Sequence, residues 1–210
     1  MVALNPPTRR ERAELTRVAI IRAAHAVFVE RGYTGTRMVD VARAAGVAVQ
    51  TVYLVFHTKG ELLAACHDHA VLGEDDPKPP NEQPWYAAIL SAPSAAESVA
   101  HFVSGNTAIC KRIAVLDDTV RAAAHEPEAA KVHQRSQRLR REGYAVLIAH
   151  WRATFGLQPG LTDAQANDLL LMLSGPASYR ELVVENGWSP EGYHAWLHGA
   201  LLALLAPPSR

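Results

Sequence analysis

The run Met38-Val-Asp-Val-Ala-Arg-Ala-Ala-Gly46-Val-Ala-Val-Gln50-Thr-Val-Tyr53-Leu-Val-Phe56 constrains this chain more than any other stretch. It reads as two short helices joined at Gly46, with opposed apolar faces: Val41, Ala42 and Ala45 on the first, Val47, Val52 and Phe56 on the second. Neither helix can bury its face alone, so the pair needs a tight turn and a third helix to pack on. The preceding segment supplies one, from about Arg12 to Arg31. There Val18, Ile21, Ala24 and Phe28 recur at helical spacing, while Arg17, Arg22 and Glu30 take other faces. Gly32 marks its end. Thr36 is placed to cap the first short helix, and the second runs from about Val49 to Phe56. Thr58 can cap a fourth helix reaching about Leu72, with Glu61 in its first turn, where a carboxylate suits the dipole.

The rest of the chain reads as helical too. It is rich in Ala, Leu and Val and lacks the alternation that strands need. The expected fold is all-α: a three-helix helix-turn-helix domain over residues 1–60, opened by a flexible arm over 1–10, then a larger helical domain over 61–210. The Pro-rich, acidic stretch 73–84 is the clearest linker. Beyond it, helices are expected at roughly 85–91, 94–110, 112–124, 127–155, 162–186 and 189–206. Pro127 starts one of them, Thr162 and Ser189 serve as N-caps, and Pro190 takes the N1 position.

Charge sharpens the division. The net charge of the 210 residues is zero, yet residues 1–60 hold nine Lys/Arg against four Asp/Glu, leaving the remainder at −5. A basic head on an acidic body is the footprint of a protein that meets phosphate at one end. The second short helix offers suitable groups. Gln50 has the bidentate geometry for adenine, Thr51 can donate to phosphate or meet a thymine methyl, and the Tyr53 phenol can reach phosphate. Lys59 and Arg37 stand at helix starts, where positive charge and peptide N–H groups favour the DNA backbone.

The spaced residues Ile21, Ala24, Phe28, Gly32-Tyr33-Thr-Gly-Thr36, Val41-Ala42, Ala45-Gly46-Val47, Thr51-Val52-Tyr53, Phe56 and Lys59-Gly-Glu61-Leu62-Leu63 resemble the N-terminal domain of the TetR family. Gly187-Trp188-Ser-Pro-Glu-Gly-Tyr193, followed by Trp196-Leu197, resembles C-terminal domains common in that family. The resemblance implies a homodimeric repressor that releases a palindromic operator when a small molecule binds the helical body, with Thr36, Gln50, Thr51, Tyr53 and Lys59 facing DNA. One departure stands out. Ala48 occupies the position where the family usually has a Ser or Thr cap, a loss of about 1 kcal/mol. Leu54 and Val55 are apolar enough either to meet thymine methyls or to pack.

Two heads must be held about one helical turn apart, roughly 34–36 Å. The last two helices are the expected dimer face, through Leu169, Leu173, Ala177, Tyr193, Trp196, Leu197 and Leu201. A pocket for a small apolar or amphipathic effector is expected from Trp85, Tyr86, Phe102, Asn106, Cys110, Tyr144 and Trp151, which join apolar surface to sparse polar groups. No phosphate loop, nucleophile elbow, metal spacing or paired-carboxylate motif supports an enzyme, and no cofactor is expected. The rival is a helical ligand carrier or enzyme without DNA binding, which leaves the basic head unexplained. His67-Asp-His69 reads as a water-exposed pair, since residues i and i+2 of a helix cannot easily share an ion. Cys66 and Cys110 read as small buried apolar residues. With two cysteines, no signal-like start and no span-length apolar run, the chain is expected to be soluble and cytoplasmic, away from membranes.

Overall fold

The computed structural model describes residues 8–74 and 77–205. Among them the chain is helical with no strand: α1 (Arg9–Gly35), α2 (Met38–Ala45), α3 (Val49–Val55), α4 (Lys59–Leu72), α5 (Pro84–Ser91), α6 (Ala95–Ala122), α7 (Pro127–Phe155), α8 (Asp163–Leu173), α9 (Pro176–Tyr179) and α10 (Pro190–Leu202). A single 3-10 turn, Pro80–Glu82, precedes α5, and a π-helical turn, Arg180–Glu185, follows α9.

Helix α1 begins earlier than the pattern suggested. Thr8 and Glu11 form a reciprocal capping box, so Arg9 and Arg10 are helical, while residues 1–7 of the expected arm lie outside the described residues. At Gly32 (φ 68°) the backbone leaves helical geometry, and one further turn carries it to Gly35. The expected helices 94–110 and 112–124 are one, since Cys110-Lys111-Arg112 contains no breaker. The expected helix 162–186 is divided instead. Pro176 cannot donate to the ladder, and α8 stops at Leu173 before α9 restarts with Pro176 at N1. Residues 75–76 of the expected linker, and residue 206 of the expected last helix, lie outside the described residues.

The chain divides into two compact units: the described parts of Met1–His69 with Thr119–Val132, and of Ala70–Asp118 with His133–Arg210. The first is built on Ile20, Ile21, Ala24 and Phe28 of α1, Val41 and Ala42 of α2, Val52 of α3, and Leu62, Leu63 and Cys66 of α4, all buried. The second packs α5, α6, α7, α8 and α10 around fully buried Ile89, Trp151, Tyr193, Leu197 and Leu201. Its C-terminal end is pinned where the Gln158 N–H donates to the Leu204 carbonyl (3.0 Å) and the Gln158 side chain to the Leu205 carbonyl (2.8 Å).

Candidate functional site

Helices α2 and α3 meet at a bend of 106°. Gly46 makes it possible: at φ 68° and ψ 29° it occupies the left-handed region, and its N–H closes α2 on the Ala42 and Arg43 carbonyls. Of the seven residues of α3 only Val52 is buried. Gln50, Tyr53 (50 % exposed) and Leu54 (78 % exposed) face water, and Thr51 is half-buried. A helix that buries one residue and presents several others is held by its neighbours and is free to enter a groove. Its first turn has no side-chain cap, as Ala48 predicts, and α2 likewise begins uncapped at Arg37.

Two of the residues expected to face DNA are placed otherwise. Thr36 is buried (1 % exposed), and its hydroxyl donates back to the Gly32 carbonyl (2.7 Å) instead of capping α2. A threonine hydroxyl reaches an i−4 carbonyl readily, and here it secures the turn that follows the Gly32 kink. Lys59 is half-buried: its Nζ donates to the Tyr33 carbonyl (2.9 Å) and lies 4.2 Å from the centroid of the Tyr33 ring. Its charge therefore serves the α1 terminus.

Beside Lys59 stands an interaction the sequence pattern did not indicate. Glu128, in the first turn of α7, accepts from the Tyr33 hydroxyl (2.8 Å) and from the Gly60 N–H in the first turn of α4 (3.0 Å). The hydrogen bond from Tyr33 holds the Glu128 carboxyl below its ordinary range, while burial and that carboxylate push the Tyr33 phenol up. Gly60 permits the approach, since a Cβ there would lie 2.6 Å from the Glu128 Cβ. The partners are 68 and 95 residues away, so no local pattern marks them.

In the second unit, most residues expected to line a pocket form closed core. The Tyr144 hydroxyl donates to Asn106 Oδ1 (2.8 Å), Asn106 Nδ2 donates to the Ser174 carbonyl (2.8 Å), and Cys110 Sγ reaches the same carbonyl (3.3 Å). Trp151 Nε1 donates to Ser98 Oγ (2.9 Å), and the Phe102 ring meets both Tyr144 and Trp151 edge-on. Tyr86 is half-buried. Trp85 alone of the seven lines an open cleft of about 490 Å³, together with Val71, Leu72, Gly105, Ile109 and Arg112. Gly105, Ala108, Ile109 and Arg112 share one face of α6 at helical spacing, and only Arg112 falls beyond the expected helix 94–110. Arg112 also donates to the last carbonyls of α4, Ala70 (2.8 Å) and Val71 (3.0 Å).

Of the expected dimer residues, Tyr193, Leu197 and Leu201 are fully buried within the chain's own core, and so present no surface to a second copy. Their apolar surface is taken up by the unit's own core, Tyr193 meeting the Tyr179 ring of α9 edge-on. Leu169, Leu173 and Trp196 are half-buried and Ala177 is exposed. The exposed apolar side chains of this unit include Leu139, Val146, Met172, Val184 and Trp188. His67 is buried, contrary to the expected exposed pair. Both cysteines are free and buried, and burial pushes each thiol up to about 12. Among the described residues no three His, Cys, Asp or Glu side chains gather as metal ligands, and no single helix is long and apolar enough to cross a membrane.

The molecule is thus an all-helical protein that presents a glycine-hinged helix-turn-helix on its N-terminal unit. Residues 20–66 match the family of bacterial regulatory proteins, tetR family, so the helix-turn-helix segment of this chain is a domain of that family's type. It is 39 % identical over 67 residues to the HTH-type transcriptional regulator TtgR of Pseudomonas putida. That match covers 29 % of this chain and 32 % of the relative, so about a third of the relative's length is represented. Among solved structures, one from Rhodococcus sp. described as a TetR-family transcriptional regulator has a TM-score of 0.67 and 21 % identity, covering 92 % of this chain and all of the other. NalD, described as the secondary repressor of the MexAB-OprM multidrug efflux pump in Pseudomonas aeruginosa, has a TM-score of 0.61 and 19 % identity, covering 92 % of this chain and 98 % of its own. These structural neighbours establish the fold.

Proposed function

We propose that the chain is a ligand-responsive transcriptional repressor that binds a palindromic operator as a homodimer and lets go when a small apolar or amphipathic molecule enters its body. The observation that carries this reading is α3: one residue buried, with Gln50, Tyr53 and Leu54 open to solvent at the end of a basic head. Gln50, Thr51 and Tyr53 are the groups to read bases and grip the backbone, with Arg37 at a phosphate. Thr36 and Lys59 act by fixing the α1 turn. Residues 1–60 are the DNA-binding domain in this reading, and 61–210 sense and dimerise in the cytoplasm without catalysis. The likeness to TtgR, an HTH-type transcriptional regulator, supports regulation of transcription, and that to the repressor NalD supports repression. NalD's link to multidrug efflux favours an apolar effector.

The cleft beside Trp85 suits such an effector, and it has a mechanical consequence. Its lining includes Val71 and Leu72, the last residues of α4, whose first turn follows α3 after three residues. A molecule that fits the cleft better in one position of α4 than in another shifts the population between head spacings. The second copy is proposed to cover the exposed Met172, Val184 and Trp188, in place of the buried side chains of α10.

The test is selection of duplexes from a random library with the intact protein, followed by footprinting. A protected inverted repeat is expected, with affinity falling steeply as salt rises. Gln50→Ala is expected to lose selectivity at one base step at a cost of about 1–3 kcal/mol. Failure to enrich any sequence at low salt would overturn the reading.

A further inference from the structure

A second cluster of charge lies on α2. The Asp40 carboxylate has three guanidiniums around it. Arg37 Nε lies 3.0 Å from Oδ2, Arg43 Nη1 3.5 Å from Oδ1, and Arg31 Nη1, reaching across from α1, 3.6 Å from Oδ1. Helical spacing sets this up, since residues 37, 40 and 43 are i, i+3 neighbours along one edge, while Met38, Val41 and Ala42 turn into the core. The Asp40 side chain is only 3 % exposed, whereas those of Arg37 and Arg43 are 74 % exposed. The carboxylate is covered by the cations it gathers. Arg31 is shared with Glu30, 3.7 Å away. Three guanidiniums thus meet two carboxylates, and the surplus charge faces water on Arg37 and Arg43.

The same edge holds the start of α2, which has no side-chain cap because the Thr36 hydroxyl is turned back to α1. Free N–H groups and a guanidinium fork at one helix start are complementary to an anionic oxygen. We infer that Asp40 is the positioning residue of a phosphate-binding edge, holding Arg37 and Arg43 in extended, ordered conformations for the phosphodiesters of duplex DNA. Two effects oppose each other here. The carboxylate subtracts charge from the edge, but it also removes rotamer entropy that two long side chains otherwise lose on binding, worth about tenfold in affinity for the pair. We take the ordering effect as the larger, and Asp40→Asn separates the two.

This inference rests on the DNA-binding reading, and one experiment separates their failures. Affinity is measured against salt concentration, on a duplex selected by the wild-type protein and on a random-sequence duplex, with inorganic phosphate as a competitor. The variants are Arg37→Ala, Arg43→Ala, Asp40→Asn and Asp40→Glu. Each arginine variant is expected to lower the salt slope by about one for each phosphate it no longer meets. Asp40→Asn is expected to weaken binding to the selected duplex about tenfold, the ordering cost of two side chains, and Asp40→Glu to restore part of it. Millimolar inorganic phosphate is expected to compete weakly, since it engages the edge without the groove. If Asp40→Asn folds and binds the selected duplex as tightly as wild type, or tighter, Asp40 is only a counter-charge and the inference is overturned. Should that variant fail to fold, the exposed arginines decide, and unchanged slopes in both sink the phosphate edge. If the wild-type protein selects no duplex, the function itself is wrong and the inference falls with it.

Discussion

The two units of this chain spend their polar groups differently. In the first, carboxylates do the joining: Glu128 ties Tyr33 to the start of α4, and Asp40 gathers arginines along α2. In the second, neutral groups close on one another inside the core, Tyr144 on Asn106, Asn106 on the Ser174 carbonyl, and Trp151 on Ser98. Helix starts do not follow this division: α1 has the Thr8 cap while α2 and α3 have none, and α8 and α10 have Thr162 and Ser189 while α5 and α9 have none. The contrast lies in the interior. The first unit's joins are charged, whereas the second unit's core is closed by neutral groups and fit, with ion pairs such as Arg141–Asp168 left exposed.

Three measurements bear on that contrast. The largest effect is expected from Trp151→Ala, which empties a fully buried site and leaves the Ser98 hydroxyl only its bond to the Ile89 carbonyl. The loss is about 3–5 kcal/mol, read as a fall of roughly 10 °C in melting temperature; a loss below about 1 kcal/mol would mean that the second unit is not governed by packing. Next comes Ala48→Ser, which gives α3 the cap it lacks. A gain of about 1 kcal/mol in chemical denaturation is expected, and no gain would show that the α3 start is already satisfied by solvent.

The smallest effect belongs to Glu128→Gln, and its sign follows from the depressed carboxyl. A carboxyl that is more acidic in the folded state than its ordinary value near about 4.3 contributes stability that is complete above that value. The contribution is lost as pH falls through the folded value. Because Glu128 is largely exposed, the wild type is expected to exceed the variant by only a few tenths of a kcal/mol at neutral pH, with the two curves merging in acid. A gap that ignores pH would mean that Glu128 acts through packing alone.

Sequence reading succeeded where the physics is local. Gly46 as a hinge, Ala48 as a missing cap, Thr162 and Ser189 as caps, and α7 from Pro127 to Phe155 all follow from a few neighbouring residues. It failed where the partner is distant or where two local choices compete. Thr36 had both a cap and an i−4 carbonyl within reach, and the kink at Gly32 decided for the carbonyl. The apolar stripe of α10 exceeds what an isolated helix needs, yet the unit's own core takes in Tyr193, Leu197 and Leu201 completely, Tyr193 edge-on to Tyr179 of α9. Breaking α6 near Cys110 separated Arg112 from Gly105, Ala108 and Ile109, with which it lines the cleft.

The two buried thiols give the molecule an unplanned pair of clocks. Cys66 sits in the first unit, against the Ile21 carbonyl, and Cys110 in the second, against that of Ser174. Neither reacts as a thiolate while folded, because burial raises both to about 12. Alkylation must wait for an opening, so the labelling rate at each site, read separately by mass, times the opening of its own unit. A molecule that enters the cleft and steadies the second unit would slow the Cys110 clock; whether Cys66 slows with it measures how far that steadying travels toward the head.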